Sequence, residues 1–264
     1  MSESASPRAR AGAGEPIVET VSGAIAATTG SALVGLYLFG SLATGDFDER
    51  VSDIDLLAIL SSDVSPHLAT RLERALEELA RDHPTWRNRI EVVYVSAASL
   101  ANFRRASTRI AVISPGEPLH LISAGPEWVL TWYPTRLYGI ALVGPPANEL
   151  IPDISFSEYA NALRGYLQRF RERIPDDATP GSQAFAVLTM CRGLYTCIHR
   201  ELASKLKAAA WARKELPDWA GLIGEAITWR QHQWEVPQAD GAATVPVVRR
   251  FIAEIADRVA ASTE

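Results

Sequence analysis

Two aspartates separated by a single residue, Asp53 and Asp55, lie in the apolar run 53–60. On a strand, positions two apart project to the same face, so this spacing sets two carboxylates side by side. Adjacent carboxylates repel, and a divalent cation resolves the repulsion; hard oxygen donors on one face suit magnesium. Gly40-Ser41 lies upstream, where an apolar run breaks into a turn. A glycine there lets backbone N–H groups approach a phosphate closely. Glu91 interrupts a third apolar run, 90–95. An unpaired buried carboxylate is costly, so Glu91 either meets a metal or an acceptor hydroxyl or is simply an outward-facing strand residue. Each pattern alone is common. Their ordered combination is far more specific, and it describes metal-assisted transfer to or from a nucleoside triphosphate.

Regular elements must hold these residues in place. Ile17, Val18, Val21 and Ile25 recur at helical spacing, and Gly30 closes that helix. Leu33–Phe39 reads as a strand feeding the Gly40 turn, with 53–60 and 90–95 as further strands. Ser65 opens a helix whose Leu68, Leu72, Leu76 and Leu79 form one stripe. The stretch 97–150 contains a strand near 119–122, a segment with Trp128 and Trp132, and the run Ile140–Val143, stopped by Gly144-Pro145-Pro146. Beyond it the pattern is helical throughout. Ser155 and Glu158 form a capping box, and helices follow over about 182–207, 208–216, 218–234 and 245–260. The expected fold class is α+β. A polar, Gly-rich tail (1–15) precedes a mixed-sheet domain (16–150), followed by an all-helical bundle domain (151–264).

Composition narrows the partners. The 264 residues carry 26 Lys plus Arg against 31 Asp plus Glu, a net charge of -5. Recognition of a nucleic-acid backbone needs a positive excess, so nucleic acid is not the expected partner. Cys191 and Cys197 cannot build a disulfide framework, which fits a reducing cytoplasm. No run of 18 apolar residues or signal-peptide core is present, and a soluble protein without membrane partners is expected. The histidines at 67, 83, 120, 199 and 232 are dispersed, which argues against zinc, and no P-loop motif occurs. Trp211, Trp219, Trp229 and Trp234 read as packing anchors.

Gly40-Ser41 followed by Asp53-x-Asp55 resembles the signature of the polymerase-β-like nucleotidyltransferase superfamily. The segment 187–195 (Val-Leu-Thr-Met-Cys-Arg-Gly-Leu-Tyr), Lys205, the run 208–212, Leu216-Pro217 and the junction segment 141–145 resemble the streptomycin/spectinomycin adenylyltransferases. The likeness spans roughly residues 33–230. It implies two magnesium ions held by Asp53 and Asp55, and ATP as co-substrate. Nucleotide contacts would come from Gly40, Ser41, Arg192 and Lys205, with Glu91 as catalytic base. The reaction implied is transfer of AMP from ATP to a hydroxyl of an aminoglycoside or aminocyclitol antibiotic, a cationic small molecule, with release of pyrophosphate. The chain also departs from the pattern. Ser182 and Phe185 stand where the family has an acidic residue and a histidine or asparagine contacting the antibiotic; Asp176 and Asp177 lie nearby. Trp128 and Trp132 are candidates for the tryptophan that packs on the acceptor, and Glu91 also lies on the acceptor side. Two other readings stay open: a nucleotidyltransferase acting on protein, RNA or a small metabolite, and an antitoxin-like regulatory module that binds nucleotide.

Overall fold

The computed structural model describes residues 15–105, 108–232 and 241–262. It divides into two compact units after Ile154, where the sequence reading places the division after residue 150.

The first unit begins with α1 (Glu15–Thr29), so Glu15 belongs to a helix; the rest of the expected tail lies outside the described residues. It continues with β1 (Leu33–Phe39), the short α2 (Gly40–Thr44), β2 (Ile54–Leu60), α3 (Pro66–Asp82) and β3 (Ile90–Ser96). Then come α4 (Ala97–Ala101), β4 (Thr108–Ile113), β5 (His120–Ala124), α5 (Val129–Tyr138), β6 (Ile140–Val143) and α6 (Ala147–Leu150). The strands form one six-stranded sheet in the order β5-β4-β3-β2-β1-β6. Only the β2–β3 pair is parallel, as its helical crossover α3 requires.

Side-chain alternation decides what each face of the sheet does. Ile54, Leu56, Ala58 and Leu60 of β2 join Ile90, Val92 and Tyr94 of β3 in one apolar cluster, capped by Ile17, Val21 and Ile25 of α1 and Leu72 and Leu79 of α3. The intervening positions therefore belong to the opposite face. That is the face of Asp55 and Glu91, and Asp53 shares it by the same alternation. Ser65, the expected start of this helix, is the N-cap of α3, its side chain accepting the Leu68 N–H at 3.2 Å.

The second unit contains α7 (Phe156–Arg169), α8 (Pro180–His199), α9 (Lys205–Glu215), α10 (Ala220–His232) and α11 (Val245–Ala261), with no strand among its described residues. Ser155 caps α7 by accepting the Glu158 N–H at 3.1 Å. α8 is the central helix, packed by the other four. The sequence reading runs one helix across 182–207, and the structure corrects this. Arg200 turns left-handed at φ 54° and ends α8, and Ser204 then caps a new helix at Lys205. α8 also starts earlier, with Thr179 as N-cap and Pro180 in the first turn. Trp234, and with it the expected end of the 218–234 helix, lies outside the described residues. No helix among the described residues is long and apolar enough to cross a membrane.

Candidate active site

The candidate site of the first unit is built at one end of the central strands. β1 runs antiparallel to β2 with Phe39 opposite Asp55, and β3 runs parallel to β2 with Asp55 opposite Glu91. The first residue after β1 is Gly40, at φ +67°. A β-carbon on Gly40 would collide with Oδ2 of Asp55. Gly40 is thus required on two counts: its left-handed backbone, and the closeness of the Asp55 carboxylate. Ser41 follows, half-buried, in the first turn of α2.

The electrostatics of the three carboxylates are linked. Burial first, and the negative charge of Asp53 second, push the Glu91 carboxyl above its ordinary value of 4.5. Asp53 and Asp55 are both half-buried, whereas Ile54 and Leu56 are fully buried and fix the strand between them. Glu91 shares register with Asp55 and feels the charge of Asp53.

The donors present fit magnesium. Among the described residues, no three His, Cys, Asp or Glu side chains converge as a ready-made metal cluster. Magnesium is commonly held by one or two carboxylates, with substrate phosphates and water completing the octahedron, and Asp53 and Asp55 are donors of that kind. A closed zinc site would need more protein ligands than this.

Trp128 stacks on Trp132, with centroids 5.4 Å apart and planes inclined by 30°. Trp132 is buried and Trp128 only partly so. This pair lies where α5 begins, away from the carboxylates in sequence.

Similarity to known proteins bears on both units. The family described as Nucleotidyltransferase domain matches residues 27–112, and that described as Aminoglycoside adenylyltransferase, C-terminal domain matches residues 149–254. A spectinomycin 9-adenylyltransferase from Campylobacter jejuni is 24% identical over 241 residues, covering 84% of this chain and 89% of that protein. One from Staphylococcus aureus is 25% identical over 198 residues, covering 71% and 74%. The chain belongs to the aminoglycoside adenylyltransferase family. It is therefore an adenylyltransferase enzyme. A crystal structure of a spectinomycin adenyltransferase from Enterococcus faecialis, with ATP and spectinomycin, shares its fold: TM-score 0.73, 18% identity, 93% of this chain and 99% of that one covered.

The enzyme's remaining candidate residues lie in the helical unit. Ser182, Phe185 and Arg192 fall at helical spacing along one stripe of α8, all three exposed. Ser182 stands in the first turn of α8, its hydroxyl 3.1 Å from that of the cap residue Thr179. Phe185 is 47% exposed and packs beside Phe170 at 6.2 Å. Lys205, the first residue of α9, places its ammonium 4.7 Å from the centre of the Phe185 ring. The structure thus brings Phe185 and Lys205 together as a cation–π pair.

Gln183, beside Ser182 and fully buried, is a residue that the sequence reading misses. Its Nε2 donates to the carbonyls of Ala178 and Gly241, each at 2.8 Å, and its Oε1 accepts from the Thr244 hydroxyl at 2.8 Å. A glutamine inside an otherwise small and apolar helix face was the available signal.

Proposed function

We propose that this enzyme transfers AMP from ATP to a hydroxyl of an aminoglycoside or aminocyclitol antibiotic and releases pyrophosphate. The observation that carries the reading is the convergence of Gly40, Asp55 and Glu91 at one sheet end, with Asp53 close enough to shift the Glu91 carboxyl. In this reading residues 16–150 form the catalytic domain and 151–264 a helical domain serving the same substrates. Gly40 and Ser41 offer backbone N–H groups to the triphosphate. Arg192 and Lys205 supply cationic contacts to the nucleotide.

Asp53 and Asp55 would hold magnesium, which when bound offsets the charge of the phosphates and of the leaving pyrophosphate. Glu91 takes the proton from the acceptor hydroxyl as its oxygen bonds to the α-phosphorus. The bond from that phosphorus to the pyrophosphate oxygen breaks in line, leaving adenylylated antibiotic and pyrophosphate. A glutamate held above its ordinary range by burial is a better proton acceptor than an exposed one. Trp128, Ser182, Phe185 and Glu91 are the acceptor-side candidates.

Within the antibiotic class we favour spectinomycin over streptomycin. The similar proteins named above act on spectinomycin by their names. Ser182 also stands where the resemblance puts the acidic contact that guanidinium groups favour, and a lysine lies on the Phe185 ring. A cytoplasmic location, where ATP is available, completes the reading.

The test is pyrophosphate release with ATP and magnesium across a panel of spectinomycin, streptomycin and other aminoglycosides, with the product mass measured. Turnover is expected with spectinomycin and is expected to vanish in Asp53→Asn. If no acceptor supports turnover that Asp53→Asn abolishes, the reading fails.

A further inference from the structure

Arg89 precedes the catalytic strand β3 by one residue, and it is buried at 6% exposure. A buried arginine is costly unless its charge and donors are met. The Arg89 Nη2 donates to two carbonyls of the loop that leads into β2, those of Glu49 at 2.6 Å and Ser52 at 2.5 Å. Its guanidinium lies over the Trp86 ring, 4.5 Å from the centre, and Trp86 is itself stacked on Phe47 of the same loop at 6.2 Å. The backbone carbonyl of Arg89 accepts the N–H of Ile54 at 2.9 Å.

Together these bonds have a specific result. Ser52 and Ile54 are the two neighbours of Asp53. The carbonyl before Asp53 is held by the side chain of Arg89, and the N–H after it by the backbone of the same residue. The short turn upstream is closed on itself, with the N–H groups of Val51 and Ser52 donating to the Asp48 carbonyl at 3.0 and 2.7 Å. Arg89 therefore fixes the segment carrying Asp53 from both sides and ties it to the strand that carries Glu91. Asp53 is also the leading negative charge acting on the guanidinium, so burial of Arg89 is partly compensated by the carboxylate it positions.

We propose that Arg89 is a positioning residue for the reaction, orienting the Asp53 carboxylate toward a divalent cation by clamping the peptide groups on either side of it. The inference rests on the reading of Asp53 as a metal ligand. In this role Arg89 works through the loop backbone and Trp86, the groups its side chain meets. It acts as an outer-shell partner does, by restricting where the ligand oxygens lie.

The test measures Mn2+ binding to the whole enzyme by electron paramagnetic resonance, without turnover, for wild type, Arg89→Lys, Arg89→Met and Asp53→Asn. Thermal midpoints are recorded in parallel. Arg89→Met leaves two loop carbonyls unpaired and is the variant that can fail to fold. Arg89→Lys keeps the charge but loses the reach and the planar guanidinium that lies over Trp86, and it is the informative variant if Arg89→Met does not fold. In the folded variants, Mn2+ affinity is expected to fall about 10- to 100-fold, the usual effect of removing an outer-shell partner. The magnesium concentration for half-activation should rise in step while the KM of the acceptor stays put. A merely structural arginine would lower the midpoint and leave the affinity of the folded fraction unchanged, and that result overturns the proposal. The control separates two failures. If Asp53→Asn binds Mn2+ like wild type, the metal reading of Asp53 falls and this proposal with it. If Asp53→Asn loses binding while Arg89→Lys retains it, only the role of Arg89 is lost.

Discussion

The carboxylates at the sheet end and the cations of the helical unit are held by opposite means. Asp53, Asp55 and Glu91 are all half-buried: strand register sets Asp55 against Glu91, Gly40 lies against Asp55, and the buried Arg89 holds the carbonyl before Asp53. Lys205 and Arg192 stand on helix faces, and the contact that holds Lys205 on the Phe185 ring is partly exposed. The first arrangement pays electrostatically, as the upward shift of Glu91 records, and gains positional accuracy. The second costs little and holds loosely. Proton transfer and in-line attack need accurate geometry, whereas neutralising a phosphate needs only a nearby positive charge. Substitutions in the two regions should therefore differ in size and kind.

The largest effect is expected at Glu91. In the proposed mechanism Glu91→Gln removes the proton acceptor, and kcat should fall by about 10²- to 10⁴-fold. Stability should move the other way. The carboxyl of Glu91 is raised in the folded chain, so it favours folding while protonated and loses that contribution as pH climbs from its ordinary value of 4.5 through the raised one. Glutamine titrates nowhere in this range. Melting of the metal-free protein should show Glu91→Gln equal to wild type near pH 4 and more stable at pH 7.5. A variant less stable at pH 7.5 would mean that burial strain is absent from the acidic site.

Gly40→Ala comes next. A left-handed backbone at a residue with a β-carbon costs about 1–3 kcal/mol, and that carbon would also push on Asp55. With Asp55 as a metal ligand, as proposed, displacement of its carboxylate by up to about one ångström should lower kcat/KM by about a hundredfold. Wild-type activity in this variant would show that the glycine is dispensable and the close approach incidental.

These two residues were legible in the sequence because their chemistry is written locally. The D-x-D spacing, the glycine at the strand end and the glutamate in an apolar run each follow from short-range pattern, as do β1, the helix start at Ser65 and the cap Ser155. What escaped depends on distant partners or on backbone without a marker. Arg89 meets carbonyls 37 and 40 residues away, and Gln183 meets Gly241 across 58. Strand β4 is short, with exposed Arg109 breaking its apolar texture. The break between α8 and α9 carries no glycine or proline at its turn, because Arg200 itself adopts the left-handed conformation.

Gln183 sharpens the comparison from the helical side, since it is a fully buried polar side chain with three hydrogen bonds there. Gln183→Ala would leave the buried carbonyl of Ala178 without its amide, at about 1–3 kcal/mol, while the Gly241 carbonyl keeps the N–H and hydroxyl of Thr244. In a chain of this length each kcal/mol lowers the melting midpoint by about 2–4 °C. Calorimetry should register that loss, and kcat at temperatures well below the midpoint should not change. A fall in kcat without a fall in midpoint would make Gln183 part of the chemistry rather than of the scaffold.

The smallest effect is expected at Phe185. Its ring lies against the Lys205 ammonium, and a half-exposed cation–π contact is worth only about 0.5–1 kcal/mol. Phe185→Leu keeps the apolar contact with Phe170 but removes the quadrupole that holds the ammonium. If Lys205 serves the nucleotide, the KM of ATP should rise by about two- to fivefold, the equivalent of that energy. Phe185→Tyr should restore it, and kcat should stay level throughout. Lys205→Ala is the companion measurement. If it raises the KM of ATP while Phe185→Leu does not, the lysine works without its ring. If Phe185→Leu instead cuts kcat as deeply as Glu91→Gln, the helical face is as exacting as the sheet end, and the division of labour between accurate carboxylates and loosely held cations is wrong.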